Sequence, residues 1–134
     1  MLIDGLITLM TEDTGVSALV STRIYKSVLP RGYVLPAICI HRYGGSQDYQ
    51  FSGPADVSED QVQLDAYGET AEDAQSVVAA LKTLLVPYVG ALPDGTKVQA
   101  CYLERDMDMP FLPHADSKSL AYRSVLGFRL VSER

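Results

Sequence analysis

Residues 61–85, QVQLDAYGETAEDAQSVVAALKTLL, change period in the middle. From Gln61 to Tyr67 apolar and polar residues alternate: Val62, Leu64 and Ala66 face one way, Gln61, Gln63 and Asp65 the other. That is the pattern of a strand with one wet face. From Ala74 onward Val77, Val78, Leu81, Leu84 and Leu85 continue an apolar stripe at helical spacing down to Pro87. Between the two patterns stands Thr70-x-x-Asp73, the form of a capping box, in which each side chain accepts from the other's backbone N–H. Clustered carboxylates also serve acid–base chemistry, and Asp65, Glu69, Glu72 and Asp73 crowd this segment. No nucleophile, partner base or ligand histidine accompanies them, whereas a helix start favours negative charge. They read as the cap of a helix that follows directly on a strand.

Working outward, Leu2, Ile3, Leu6, Ile7 and Met10 predict an N-terminal helix, ended by the TEDTG run. Residues 16–25 read as a helical turn followed by an extended piece, and Pro30 and Pro36 bracket a loop. Ala37 to Tyr43 reads as the first strand, Gln61 to Tyr67 as the second, Val98 to Arg105 as the third and Leu120 to Val131 as the last. Residues 44–59 and 106–119 are loops by composition, rich in Gly, Pro, Asp and Ser. Loops of this length are functional or mobile segments. The expectation is one α+β domain over residues 1–134, with a two-layer architecture. A four-stranded, mainly antiparallel sheet carries helices on one face, in the order αββαββ. Strand three beside strand one, or strand four beside strand two, completes an antiparallel sheet.

Composition agrees: 47% apolar and 21% charged residues describe a globular chain. The longest apolar runs are too short for a membrane helix. The start MLIDGLITLMTED lacks the basic region of a secretory signal. Cys39 and Cys101 make no close pair and no metal-type spacing, and read as small buried hydrophobes in a reducing compartment.

Charge is unevenly placed. The net charge is −6, and residues 43–81 contain no Lys or Arg but hold Asp48, Asp56, Glu59, Asp60, Asp65, Glu69, Glu72 and Asp73. The preceding segment carries Arg23, Lys26, Arg31 and Arg42. No continuous basic patch is present for sequence-specific binding of nucleic acid. Separated basic and acidic regions suit head-to-tail self-association.

Enzyme signatures are missing. There is no phosphate-binding glycine motif and no G-x-S-x-G elbow. Asp106 and Asp108 lack the spacing of a calcium loop. Cys39 and His41 share one strand face, where packing is the expected role, and His114 lies in a loop. The expectation is no catalytic, cofactor or metal site.

Three stretches carry a resemblance: RIYKSVLPRGYVLPAICIHRYGG (23–45), VQLDAYGETAEDAQSVVAALKTLL (62–85), and ERDMD with LAYRSVLGFRLV (104–131). Their motifs are an R-I-Y, a proline before an apolar strand, a V-Q-x-D strand leading into a helix, and a closing Y-R strand. In this order they resemble the tail-completion or tail-terminator proteins of long-tailed bacteriophages and gene transfer agents. The resemblance implies a structural virion protein, assembled in the bacterial host cytoplasm. Copies form a hexameric ring that caps the tail tube, ends its polymerisation and joins it to the head or neck. The partners implied are further copies, the tube protein and a connector or neck protein, with DNA passing through the lumen. The alternatives are another connector, neck or tube-like component, or a free-standing cytosolic α+β binding module.

A ring needs one patch to meet a different patch on the neighbour. The charge pattern suggests an interface in which Arg23, Lys26, Arg31 and Arg42 of one copy face Asp56, Glu59, Asp60 and Asp65 of the next. The competing placement puts Asp48, Asp56, Glu59 and Asp60 at the lumen, where like charge repels passing DNA.

Overall fold

The computed structural model describes residues 2–26, 35–50, 53–86, 88–93, 95–111 and 121–133. The predicted strand-to-helix junction is present. Helix α3 spans Ala71–Leu85, and its N-cap Thr70 accepts from the Asp73 amide at 3.1 Å. Ala74, Val77, Val78, Leu81 and Leu85 form its buried stripe. The N-terminal helix α1 spans Leu2–Glu12, and α2, Thr14–Val20, begins where Asp13 accepts from the Val16 amide at 2.9 Å. Strand β1 is Ile24–Lys26, β2 Ala37–Gln50, β3 Gly53–Gly68, β4 Gly90–Ala91, β5 Lys97–Phe111 and β6 Ala121–Glu133.

The sheet corrects the expected architecture. It has six strands in the order β1-β2-β3-β6-β5-β4, and it is mixed because β1 runs parallel to β2. It curls into a half-barrel accompanied by three helices, so the four-stranded αββαββ reading does not hold. The additional strands β1 and β4 contain three and two residues, too few to display an alternation. Of the two placements open from the sequence, β6 beside β3 is the one formed.

The segment 44–59, read as a loop, is instead mostly a β-hairpin, with β2 and β3 paired from Ala37↔Tyr67 out to Gln50↔Gly53. Likewise β5 continues through 106–111 opposite β6. Glycine and proline are tolerated here because these stretches lie at sheet edges or irregularities. The β2–β3 register shifts at Arg42/Gly44 and Gln47/Tyr49, and Pro110 lies in the end strands of the order beyond the reach of β4. The expected loop residues 112–119 fall outside the described residues. The β2–β3 hairpin leaves the sheet beside Val57↔Glu133 and the β5–β6 hairpin at the opposite end, beside Gly68↔Tyr122. Between those ends the β3–β6 ladder runs without a register shift.

One face of the sheet packs against the helices. Ile38, Ile40, Val62, Leu64, Ala66, Leu126, Phe128 and Leu130 join Leu6, Met10, Val16, Val20, Val77 and Leu81 in a single buried cluster. Burying an apolar side chain of this size contributes about 1.5–3 kcal/mol. This cluster is what fixes the register, because a one-residue slip would turn the whole set outward.

Candidate assembly surfaces

The opposite face is built from the alternate residues of the same strands. On β3 these are Glu59, Gln61, Gln63, Asp65 and Tyr67, set against Val131, Arg129, Gly127, Val125 and Arg123 of β6. Toward the Gly68 end this face is dry. Ala37, Cys39, Asp65, Tyr67 and Val125 are all buried. Asp65, expected on a wet face, accepts from Gln63 Nε2 at 2.8 Å and from the Tyr67 hydroxyl at 3.4 Å. Burial, then the nearby Asp65 charge, pushes the Cys39 thiol up to about 11. Burial and Asp65, opposed by a hydrogen bond from Arg123, push Tyr67 up to about 12. Burial alone raises Cys101 to about 12. A carboxylate surrounded by hydrogen-bond donors is stable in such a place, whereas a bare one is not.

Toward the other end the face is wet and aromatic. The Arg105 guanidinium lies 5.3 Å from the Tyr43 ring centre and within 3.5 Å of its hydroxyl. Tyr43 belongs to β2 and Arg105 to β5, with β3 and β6 between them, so the contact bridges the curl of the sheet. Gly127 of β6 lies beneath: a Cβ there would come 2.9 Å from Arg105 Cβ and 3.4 Å from the Tyr43 hydroxyl. A second pair sits beside the first. Arg129 stacks 4.9 Å from the Tyr102 ring centre and reaches Glu59 at 3.2 Å and Glu104 at 3.9 Å.

The charged residues expected at an interface are dispersed. Arg23 donates to the carbonyls of Pro36 (2.8 Å) and Leu19 (3.4 Å), tying the end of α2 to the entry of β2. Lys26 pairs with Asp4. Arg42 and Asp60, proposed to meet across copies, already meet each other at 2.6 Å within one chain. Glu59 holds Arg129, and Asp65 is buried. Arg31 lies outside the described residues; Asp48 and Asp56 lie on the outer part of the β2–β3 hairpin. Asp106 is paired with Lys82 and Asp108 accepts from Ser124 at 2.6 Å, so neither stands open to a cation. Cys39 and Cys101 lie on opposite faces of the sheet, and His114 is outside the described residues. Among the described residues no group of three or more potential metal ligands converges. A groove of about 530 Å³ between α2 and α3 is lined by Asp13, Gly15, Ala79, Ala80, Thr83 and Leu84. It has small walls and no set of convergent polar groups of the kind ligand pockets use.

The Tyr43–Arg105 and Tyr102–Arg129 pairs escape a reading of the sequence, since their partners are far apart along the chain. One signal was present: Gly127 interrupts the interior of a strand, which marks a close approach of something over the backbone.

Comparison with known proteins gives a family and a shared fold. The family model described as "Tail completion protein gp17" matches residues 4–131. A chain in the solved structure titled "Virion of native gene transfer agent (GTA) particle" superimposes with a TM-score of 0.72 at 18% identity, covering 95% of this chain and 90% of that one. That likeness is one of fold. Comparison with curated proteins gives no match.

Proposed function

Because the chain belongs to the tail completion protein gp17 family, a family of structural virion proteins, we propose that it is the tail terminator of its particle. Copies assemble as a hexameric ring on the finished tail tube, stop its growth and present a surface to the head or neck, while DNA passes through the lumen. The observation that carries this reading is the family match over nearly the whole chain. The fold shared with a chain of a gene transfer agent virion supports it.

The charge pattern belongs to this proposal. Arg23, Lys26, Arg31 and Arg42 of one copy face Asp56, Glu59, Asp60 and Asp65 of the next, and the outer hairpin acids Asp48 and Asp56 either join that interface or line the lumen. Lys26, Arg42, Glu59 and Asp60 have partners within the chain, so an interface through them exchanges one ion pair for another and gains little. Reversing Asp56 and Glu59 to lysine separates the two placements. Loss of the ring supports the interface, and an intact ring with impaired DNA passage supports the lumen.

The test of function adds purified protein to growing tail tubes and follows tube length and end occupancy by electron microscopy. Tubes that stop, with a ring at one end, are expected. Tubes that grow on uncapped would leave a different neck or connector role.

A further inference from the structure

We infer that Arg105, held on Tyr43 above Gly127, is the receptor on the open sheet face for the carboxylates Glu69, Glu72 and Asp73 at the start of α3 of a second copy. This rests on the reading that copies assemble head to tail, and it names the faces that meet.

Several of the described charges are paired within the chain. Lys26–Asp4, Arg42–Asp60, Lys82–Asp106 and Arg129–Glu59 are closed pairs. Arg105 is exposed and, among the described residues, touches no carboxylate; its contact is the Tyr43 ring and hydroxyl. On the other side of the molecule Glu69, Glu72 and Asp73 are exposed, and among the described residues no side-chain hydrogen bond or ion pair engages their carboxylates. An exposed guanidinium on the sheet face that meets no described carboxylate and exposed carboxylates on the helix layer are complementary in charge. They lie on opposite faces of one sheet, so the contact between copies is heterologous and repeats from copy to copy.

The form of the cation strengthens the argument. Contact with the Tyr43 ring and hydroxyl restrains the guanidinium, so less freedom is lost when its fork closes on a carboxylate. Arginine and tyrosine side by side, with Tyr102 and Met107 exposed around them, make up the composition of an interface anchor. Gly127 gives the anchor its seat: any side chain at that position displaces Arg105.

Carbodiimide joins amines to carboxylates at contact distance, so Arg105→Lys turns position 105 into a reporter. Equal parts of unlabelled and heavy-isotope-labelled R105K protein are coupled, alone and on tail tubes, and the joined peptides are identified by mass spectrometry. The Lys26–Asp4 and Lys82–Asp106 pairs serve as internal controls for coupling. Mixed-isotope peptides joining position 105 to Glu69, Glu72 or Asp73 are expected. Position 105 joined only within its own chain, only to another carboxylate or to tube protein, or not joined at all, overturns the inference. In parallel, Arg105→Glu is expected to weaken self-association about tenfold or more, and the swap R105E/E72R/D73R to restore it. Rings of R105E as stable as wild type sink the inference even if the wild-type protein caps tubes. Rings that depend on Arg105 in a protein that never caps tubes keep it and remove the terminator reading.

Discussion

On the helix-covered face of the sheet Val62, Leu64, Leu126, Phe128 and Leu130 are at most 2% exposed, while on the other face Tyr43, Tyr102 and Met107 stand 37%, 49% and 42% exposed. The two faces use alternate residues of the same strands, so neither can move without the other. The covered face spends its residues on excluding water, and its alternation is regular. The open face contains a buried carboxylate, two arginine–tyrosine stacks and a glycine that no side chain can replace without a shift. The contrast divides the labour: one face makes the monomer stable, and the other carries the surface proposed to meet a second copy.

The largest expected effect lies on the covered face. Phe128→Ala removes the largest fully buried side chain and should destabilise the monomer by about 3–5 kcal/mol in a denaturant titration. A cost below about 1 kcal/mol would show that the cluster is not the stabilising face.

The dry end of the open face gives the next effect. Cys39 and Tyr67 hold their protons more tightly folded than unfolded, with values raised from 9.0 to about 11 and from 10.0 to about 12. The stability this contributes is complete below the unfolded values and is lost as pH rises from about 9 to 12, a fall on the order of a few kcal/mol. Asp65→Asn removes the second-ranked cause and leaves burial, so spectroscopic titration should find Tyr67 lower than in wild type yet still above 10.0. An unchanged Tyr67 titration in that variant would break the assignment.

Smaller again is Gly127→Ala, whose new methyl meets Arg105 Cβ and the Tyr43 hydroxyl. Thermal melts should show a loss of about 1–3 kcal/mol, accompanied by a changed tyrosine fluorescence. The smallest is Tyr43→Ala, which removes an exposed stack worth about 0.5–1 kcal/mol. Its melting curve should nearly match wild type while self-association falls, and a reversed ranking of those two readouts would erase the division between the faces.

The covered face was legible from residues alone. The alternation of β3 and β6, the stripe of α3 and the Thr70 cap each state their geometry within a few positions. The hairpin was not legible, because residues 44–59 show no hydrophobic period. Their strandedness comes from the β2–β3 ladder, which composition does not encode. β1 and β4 were too short to leave a pattern. The open-face contacts depend on the curl: Tyr43 reaches Arg105 only because the intervening strands β3 and β6 bend beneath them. The Arg42–Asp60 pair was hidden for a simpler reason, since opposite charges in a sequence say nothing about whether they meet inside one chain or between two.

The unbroken β3–β6 ladder has a mechanical meaning. It runs from Val57↔Glu133 to Gly68↔Tyr122 without a slip, whereas the ladders flanking it each shift twice. At about 3.3 Å per residue it forms a continuous strut of roughly 40 Å. The hairpins on either side leave from its opposite ends. A push at one tip is therefore carried along the strut to the other, while the bulged flanks take up the bending. A part built this way resists compression lengthwise and yields sideways.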